Sequence, residues 1–190
     1  MPQFDLRGIK VATYVNTNGT ITYTGATSIG DAMNVNLELR FAEGRLYAES
    51  TLAEYMRKVV GGTISIGVKY IPDTAQTMLF GVTAKTRTVG TSSISSLVTT
   101  AKDTPNYVGV GFYAPDMVDG VKKYTAVKIA RALFGNPSMS LQTAGENIVF
   151  NTPTTSGEFL ADDSTNQDMI EVAVCNTEAD AIAWVTAVLQ

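Results

Sequence analysis

The chain has 190 residues, 45% hydrophobic and 17% charged, with 14 basic against 18 acidic side chains, one cysteine and no histidine. That is one globular domain, 1–190, long enough to bury its own core without a disulfide or a metal staple. The missing histidine removes Ser-His-Asp and Cys-His catalysis and imidazole zinc sites, Cys175 alone forms no internal disulfide, and a formal charge of −4 argues against a surface that grips nucleic acid.

In chain order, Met1 to Lys10 has neither a basic nor an apolar export region, so neither export nor a membrane partner is expected. Strands are predicted at Ile9 to Val15 and Thr20 to Thr24, joined by a hairpin turn at Asn16-Thr17-Asn18-Gly19, because Asn-Gly suits two successive residues with positive φ. The spelling Asn18-Gly19-Thr20 is then a turn rather than a glycosylation site. Met33, Val35, Leu37 and Leu39 alternate with polar residues, as do Ile64, Ile66, Val68 and Tyr70. Each set predicts a half-buried strand. A helix is predicted from Asp73 to Phe80, between Pro72 and the stop signal Gly81. Further strands are predicted at Val108 to Phe112, Lys122 to Arg131, Asn147 to Thr152 and Ile170 to Val174, the last with Ile170, Val172 and Val174 on its apolar face. A final helix, Glu178 to Leu189, begins at the capping pattern Thr177 and Asp180. Apolar residues, Trp184 among them, cover most of its circumference, so either a neighbouring subunit or loops of the same chain cover what one sheet leaves open. The fold class is mainly β with minor α: an antiparallel sandwich or barrel with a flanking C-terminal helix and long loops.

Two long loop or arm segments, 42–62 and 83–106, do not fit a core. The first sets charges around Leu46, Tyr47, Leu52, Tyr55 and Met56; it is too charged for a core strand and too apolar for an idle loop. The second is rich in Ser, Thr and Gly; a stretch that long between strands is either functional or disordered, and its low apolar content suits ordering only on assembly.

Gly109-Val110-Gly111-Phe112-Tyr113-Ala114 spells a dinucleotide fingerprint, but the glycines alternate within a strand and Pro115 follows where a helix should begin. They predict close backbone approach instead. Asp162, Asp163 and Asp168 lack the spacing of a calcium loop and read as a solvated loop. Glu38 with Glu49 or Glu158 could form an acid and base pair, but nothing in the sequence places such a pair in a cleft. Cys175 lies in an apolar run and reads as a small buried hydrophobe. Tyr107, Phe112, Tyr113, Tyr124, Phe134 and Phe150 read as core and cross-strand packing. No catalytic residue, cofactor or metal ligand is expected.

The order of several landmarks resembles a known family. Arg45-Leu46-Tyr47-Ala48-Glu49-Ser50, then Gly61-Gly62-Thr63-Ile64-Ser65-Ile66, then a helix ending Leu79-Phe80-Gly81 make the first half. Pro105-Asn106-Tyr107-Val108-Gly109-Val110-Gly111-Phe112-Tyr113, Lys123-Tyr124, and Gln142-Thr143-Ala144-Gly145-Glu146-Asn147-Ile148-Val149-Phe150-Asn151-Thr152-Pro153 make the second. Together they resemble the phage major tail proteins of the phi13 type, with a departure at Glu49-Ser50, where the family carries an acidic pair. The resemblance implies a non-enzymatic structural protein of the virion tail, assembled in the host cytoplasm into hexameric rings. The rings stack into a tube, DNA passes through it without specific binding, and tape measure and tail terminator proteins are partners. A tube subunit of a phage-tail-like bacteriocin or injection system shares the same physics, and a carbohydrate-binding sandwich is the alternative of another class. On the tube reading, segment 42–62 is the main contact between subunits. Leu46, Tyr47, Tyr55 and Met56 would be its anchors, with Glu43, Arg45, Glu54, Arg57 and Lys58 as registering charges and Trp184 as a further contact.

Overall fold

The computed structural model describes residues 5–118, 120–137 and 152–190. It is mainly β: an eight-stranded antiparallel sheet, a separate two-stranded hairpin and two helices lie among those residues. The expected strand Asn147 to Thr152 lies outside the described residues except for Thr152, and so does Phe150.

Strands β1 (Arg7–Thr17) and β2 (Thr20–Ser28) meet in the predicted turn. Asn18 and Gly19 have φ of 53° and 85°, and the Gly19 N–H donates to the Asn16 side-chain oxygen at 2.9 Å. Strands β3 (Ala32–Ala48) and β4 (Thr51–Val68) form one long hairpin. Helix α1 (Asp73–Phe80) ends as predicted, with Gly81 left-handed and its N–H bonded to the Thr77 carbonyl. Strands β5 (Thr83–Val89) and β6 (Ser92–Val98) make the separate hairpin, and β7 (Tyr107–Val118), β8 (Val121–Phe134), β9 (Thr154–Leu160) and β10 (Ile170–Cys175) follow. Helix α2 (Glu178–Ala187) is capped by Thr177, whose hydroxyl accepts from the Asp180 N–H at 3.2 Å.

The sheet runs β2-β1-β7-β8-β9-β4-β3. It forks at β8, where Tyr124 to Ile129 pair with β10 and Arg131 to Phe134 pair with β9. The fork lets one half of the sheet fold over the other. Ile9, Val11, Val108, Val110 and Ile129 from one half meet Ile64, Ile66, Val68 and Phe159 from the other, and Leu79 and Phe80 of α1 pack against the same cluster. On the opposite face Ala12, Tyr23, Tyr113, Tyr124 and Ala126 lie beneath Ala181 and Val185 of α2 and Leu189 just beyond it. A side chain at Gly109 would overlap the Tyr23 ring and press on Leu189, and one at Gly111 would press on Val185 and Leu189. These glycines therefore set how closely α2 sits, which is the expected close approach rather than a nucleotide loop.

Four expectations need correction. Segment 42–62 is paired strand throughout, apart from the Glu49-Ser50 turn, and not a loop. Residues 83–98 form a paired hairpin rather than a loop, because Thr-rich runs suit extended backbone even when little beyond Leu97 is covered. Strand β10 turns the expected face inward, with Ile170 packed on the core, but that face outruns its cover: Val172 and Val174 are 59% and 56% exposed, while Cys175 on the other face packs in the α2 cluster. Asp162 is not solvated but buried, its Oδ1 accepting from the Ser164 N–H, the Ser164 hydroxyl and the Asp168 N–H. Cys175 is half-buried, and burial followed by the charge of Asp180 pushes its thiol up, as suits a packing residue.

Candidate functional site

The feature that stands out from the folded body is the distal part of the β3–β4 hairpin. Pairing of β4 with β9 ends at Gly62 opposite Phe159, so among the described residues the two strands have only each other from Phe41 and Val60 outward. Eight residues of β3, Phe41 to Ala48, then project roughly 25 Å at the usual strand rise. Glu49 and Ser50, with φ of 51° and 66°, turn the chain at the tip. Register shifts between Arg40 and Phe41 and between Leu46 and Tyr47 bend the ribbon twice.

Pairing sorts the arm into two faces. On one, Phe41 stands opposite Val59, Glu43 opposite Arg57, Arg45 opposite Tyr55 and Tyr47 opposite Leu52. This is the face by which Val35 and Leu37 reach the core at the arm's root. The Arg57 guanidinium stacks 3.6 Å from the Phe41 ring centroid, Arg45 lies 5.7 Å from that of Tyr55, and Glu43 bridges both arginines at 3.4 Å. On the other face Lys58 stands opposite Ala42, Met56 opposite Gly44 and Glu54 opposite Leu46. Every one of these nine predicted residues on the arm is exposed, Met56 at 75%. Exposed ion pairs contribute at most about 1 kcal/mol, so the charges set register more than they hold the arm together. An isolated two-stranded ribbon is marginal in water, and this one exposes seven large apolar side chains from Phe41 to Val60. The tenth predicted residue, Trp184, is on a different element: it is half-buried in the seam between α2 and the sheet.

A second apolar surface continues from the root of the arm. Met33, Val35 and Leu37 of β3 face Phe112, Val127 and Val172 across an open groove of about 530 Å³. Sequence reasoning missed it because the whole apolar side of β10 was expected in the core, and alternation does not show how far the facing strand covers it. The candidate carboxylates are not gathered into a cleft. Glu38 and Glu158 flank Thr63 on neighbouring strands, both exposed, with Arg40 bonded to Glu158 at 2.8 Å, and Glu49 is at the arm tip. Among the described residues no group of three acidic or cysteine side chains could hold a metal ion, and no helix is long and apolar enough to cross a membrane.

A polar cluster fastens the loop between β9 and β10. Arg131 donates to Asp163 at 2.6 Å while its guanidinium lies 4.2 Å from the Tyr107 ring centroid and 5.6 Å from that of Tyr14. Tyr14 and Asn16 donate to the other carboxylate oxygen of Asp163 at 3.1 and 3.3 Å, and the Asp163 N–H returns a bond to the Tyr14 oxygen. The bond from Asn16 first, then that from Tyr14 and the charge of Arg131, hold the Asp163 carboxyl below its ordinary value. A depressed folded-state value means the carboxylate contributes stability above the unfolded value of about 4 and loses it as pH falls through the folded one. Asp163→Asn is therefore expected to lower the melting temperature at pH 7 and to leave the difference from wild type shrinking below pH 4, read by thermal denaturation across pH.

In comparison with known proteins, no family model matches the chain and no curated protein matches it significantly.

Proposed function

We propose that the protein is a self-assembling structural subunit of a bacteriophage tail tube, forming hexameric rings that stack into a conduit for DNA in the virion, with tape measure and tail terminator proteins as its partners. The observation that carries self-assembly is the arm. Among the described residues no further strand pairs with it beyond its root, and Leu46, Tyr47, Tyr55 and Met56 are exposed in the single chain. Burying such side chains yields about 1.5 to 3 kcal/mol each, so a second copy that covers them has a large driving force.

The tube reading rests on the order of the sequence landmarks together with the charge. A conduit works best when its wall does not neutralise phosphates, since each neutralised phosphate adds affinity and slows passage. A net charge of −4 and strands rich in Thr, Ser and Asn meet that requirement. The adhesive-module alternative needs exposed tyrosine and tryptophan platforms; Tyr47, Tyr55 and Tyr70 are exposed, but the single tryptophan, Trp184, is half-buried against the tyrosine cluster under α2.

Negative-stain microscopy and sedimentation of the purified protein over a range of concentrations test the reading. Rings or tubes with a central channel are the expected result. A species that stays monomeric at the highest concentration would overturn it.

A further inference from the structure

The two hairpins that leave the body carry opposite charge. The end of the β3–β4 arm, Leu46 to Glu54, contains Glu49 and Glu54 and no cation, beside exposed Leu46, Tyr47 and Leu52. The β5–β6 hairpin, Thr83 to Val98, contains Lys85 and Arg87 and no acid. Its register puts Lys85 opposite Ser96, Arg87 opposite Ile94 and Val89 opposite Ser92, so both cations share one face with Val89 and Ile94, which are 61% and 50% exposed. The other face, Ala84, Thr86, Thr88, Ser93, Ser95 and Leu97, is small and polar except for Leu97, which packs on the core. Among the described residues none of Glu49, Glu54, Lys85 and Arg87 has an oppositely charged group within 4 Å.

We infer that the acidic tip of one copy docks on the basic face of the β5–β6 hairpin of a second copy. The inference rests on the tube reading and names the two patches that meet. Each patch has apolar groups beside a pair of charges, and the signs are opposite, which is the pattern of a contact with a dry centre and a charged rim. The contact is heterologous, one patch against a different patch, so each bound pair still offers one free tip and one free hairpin to further copies. It also explains why a Ser/Thr-rich ribbon with little cover of its own is kept in the fold.

The test uses two charge-reversed proteins, Glu49→Lys with Glu54→Lys, and Lys85→Glu with Arg87→Glu. Each alone is expected to raise the concentration needed for pelleting of assemblies by about tenfold or more, because like charges then face each other. An equimolar mixture is expected to assemble within about threefold of the wild type, since the reversed tip of one fits the reversed hairpin of the other. Wild type that never assembles would overturn the tube reading itself. Wild type that assembles, together with reversed proteins that assemble equally well alone or a mixture that is not rescued, would overturn only the pairing. Cross-linking keeps the outcome independent of reversal. In a Cys175→Ala background, assemblies mixing Glu54→Cys with Arg87→Cys copies are expected to oxidise to disulfide-linked dimers, and assembled mixtures without such dimers would overturn the contact.

Discussion

Replacing Glu43 to Arg57 by an Asn-Gly turn that joins Ala42 to Lys58 is expected to give a folded protein that no longer assembles. Ala42 and Lys58 are directly paired, so a two-residue turn closes the shortened hairpin without changing its register. No side chain from Phe41 to Lys58 is buried. The deleted residues contribute cross-strand pairs of about 0.2 to 1 kcal/mol each, offset by the roughly 1 to 2 kcal/mol per residue needed to order their backbone. Stability of the subunit should therefore change by about 1 kcal/mol or less, and the melting temperature by a few degrees at most. Assembly loses Leu46, Tyr47, Leu52, Tyr55 and Met56 together. Forfeiting the burial of even two of them, about 3 kcal/mol at least, raises the required concentration roughly a hundredfold or more. Microscopy beside a melting curve separates the two effects, and tubes of normal length from the shortened protein would remove the arm from the assembly surface.

The features legible in the sequence are those decided within a few residues. The Asn18-Gly19 turn, the stop at Gly81 and the Thr177 cap need only local chemistry, and the Ile64-Ile66-Val68 alternation meets a sheet that buries one face. Strand β9 was not legible because Thr154 to Leu160 holds two large apolar residues, and it is placed by the neighbours it bridges, β4 and β8. Strand β10 misled for a different reason. Alternation gives the apolar side, which Ile170 does turn to the core, but not how far the facing strands extend, and Val172 and Val174 lie beyond that cover. The arm residues were legible as outliers from a core pattern. Their division into two faces was not, because the two register shifts change which residues stand together, and only pairing shows Glu43 between Arg45 and Arg57.

Phe159→Ala is expected to cost about 3 to 5 kcal/mol. Phe159 is fully buried on β9, the strand that joins the two halves of the forked sheet, opposite Gly62 on one side and Ala132 on the other. Removing its ring leaves a cavity at that junction, and the melting temperature should fall by roughly 6 to 20 °C for a chain of this size. Urea titration should give a lower midpoint at an unchanged slope, as for a loss of packing in a chain that still unfolds as one unit. Gly62 is the last arm-side residue that β9 holds, so amides from Phe41 to Val60 should also exchange faster than in the wild type. The cavity does not become room for a larger residue at Gly62. A side chain there would overlap the Glu38 backbone carbonyl as well as the Phe159 ring, and the carbonyl is fixed by the pairing of β3 with β4. Gly62→Ala is therefore expected to destabilise the protein in the Phe159→Ala background too. Rescue of the double variant to wild-type stability would mean that the ring alone, and not the strand beside it, sets the glycine at the root of the arm.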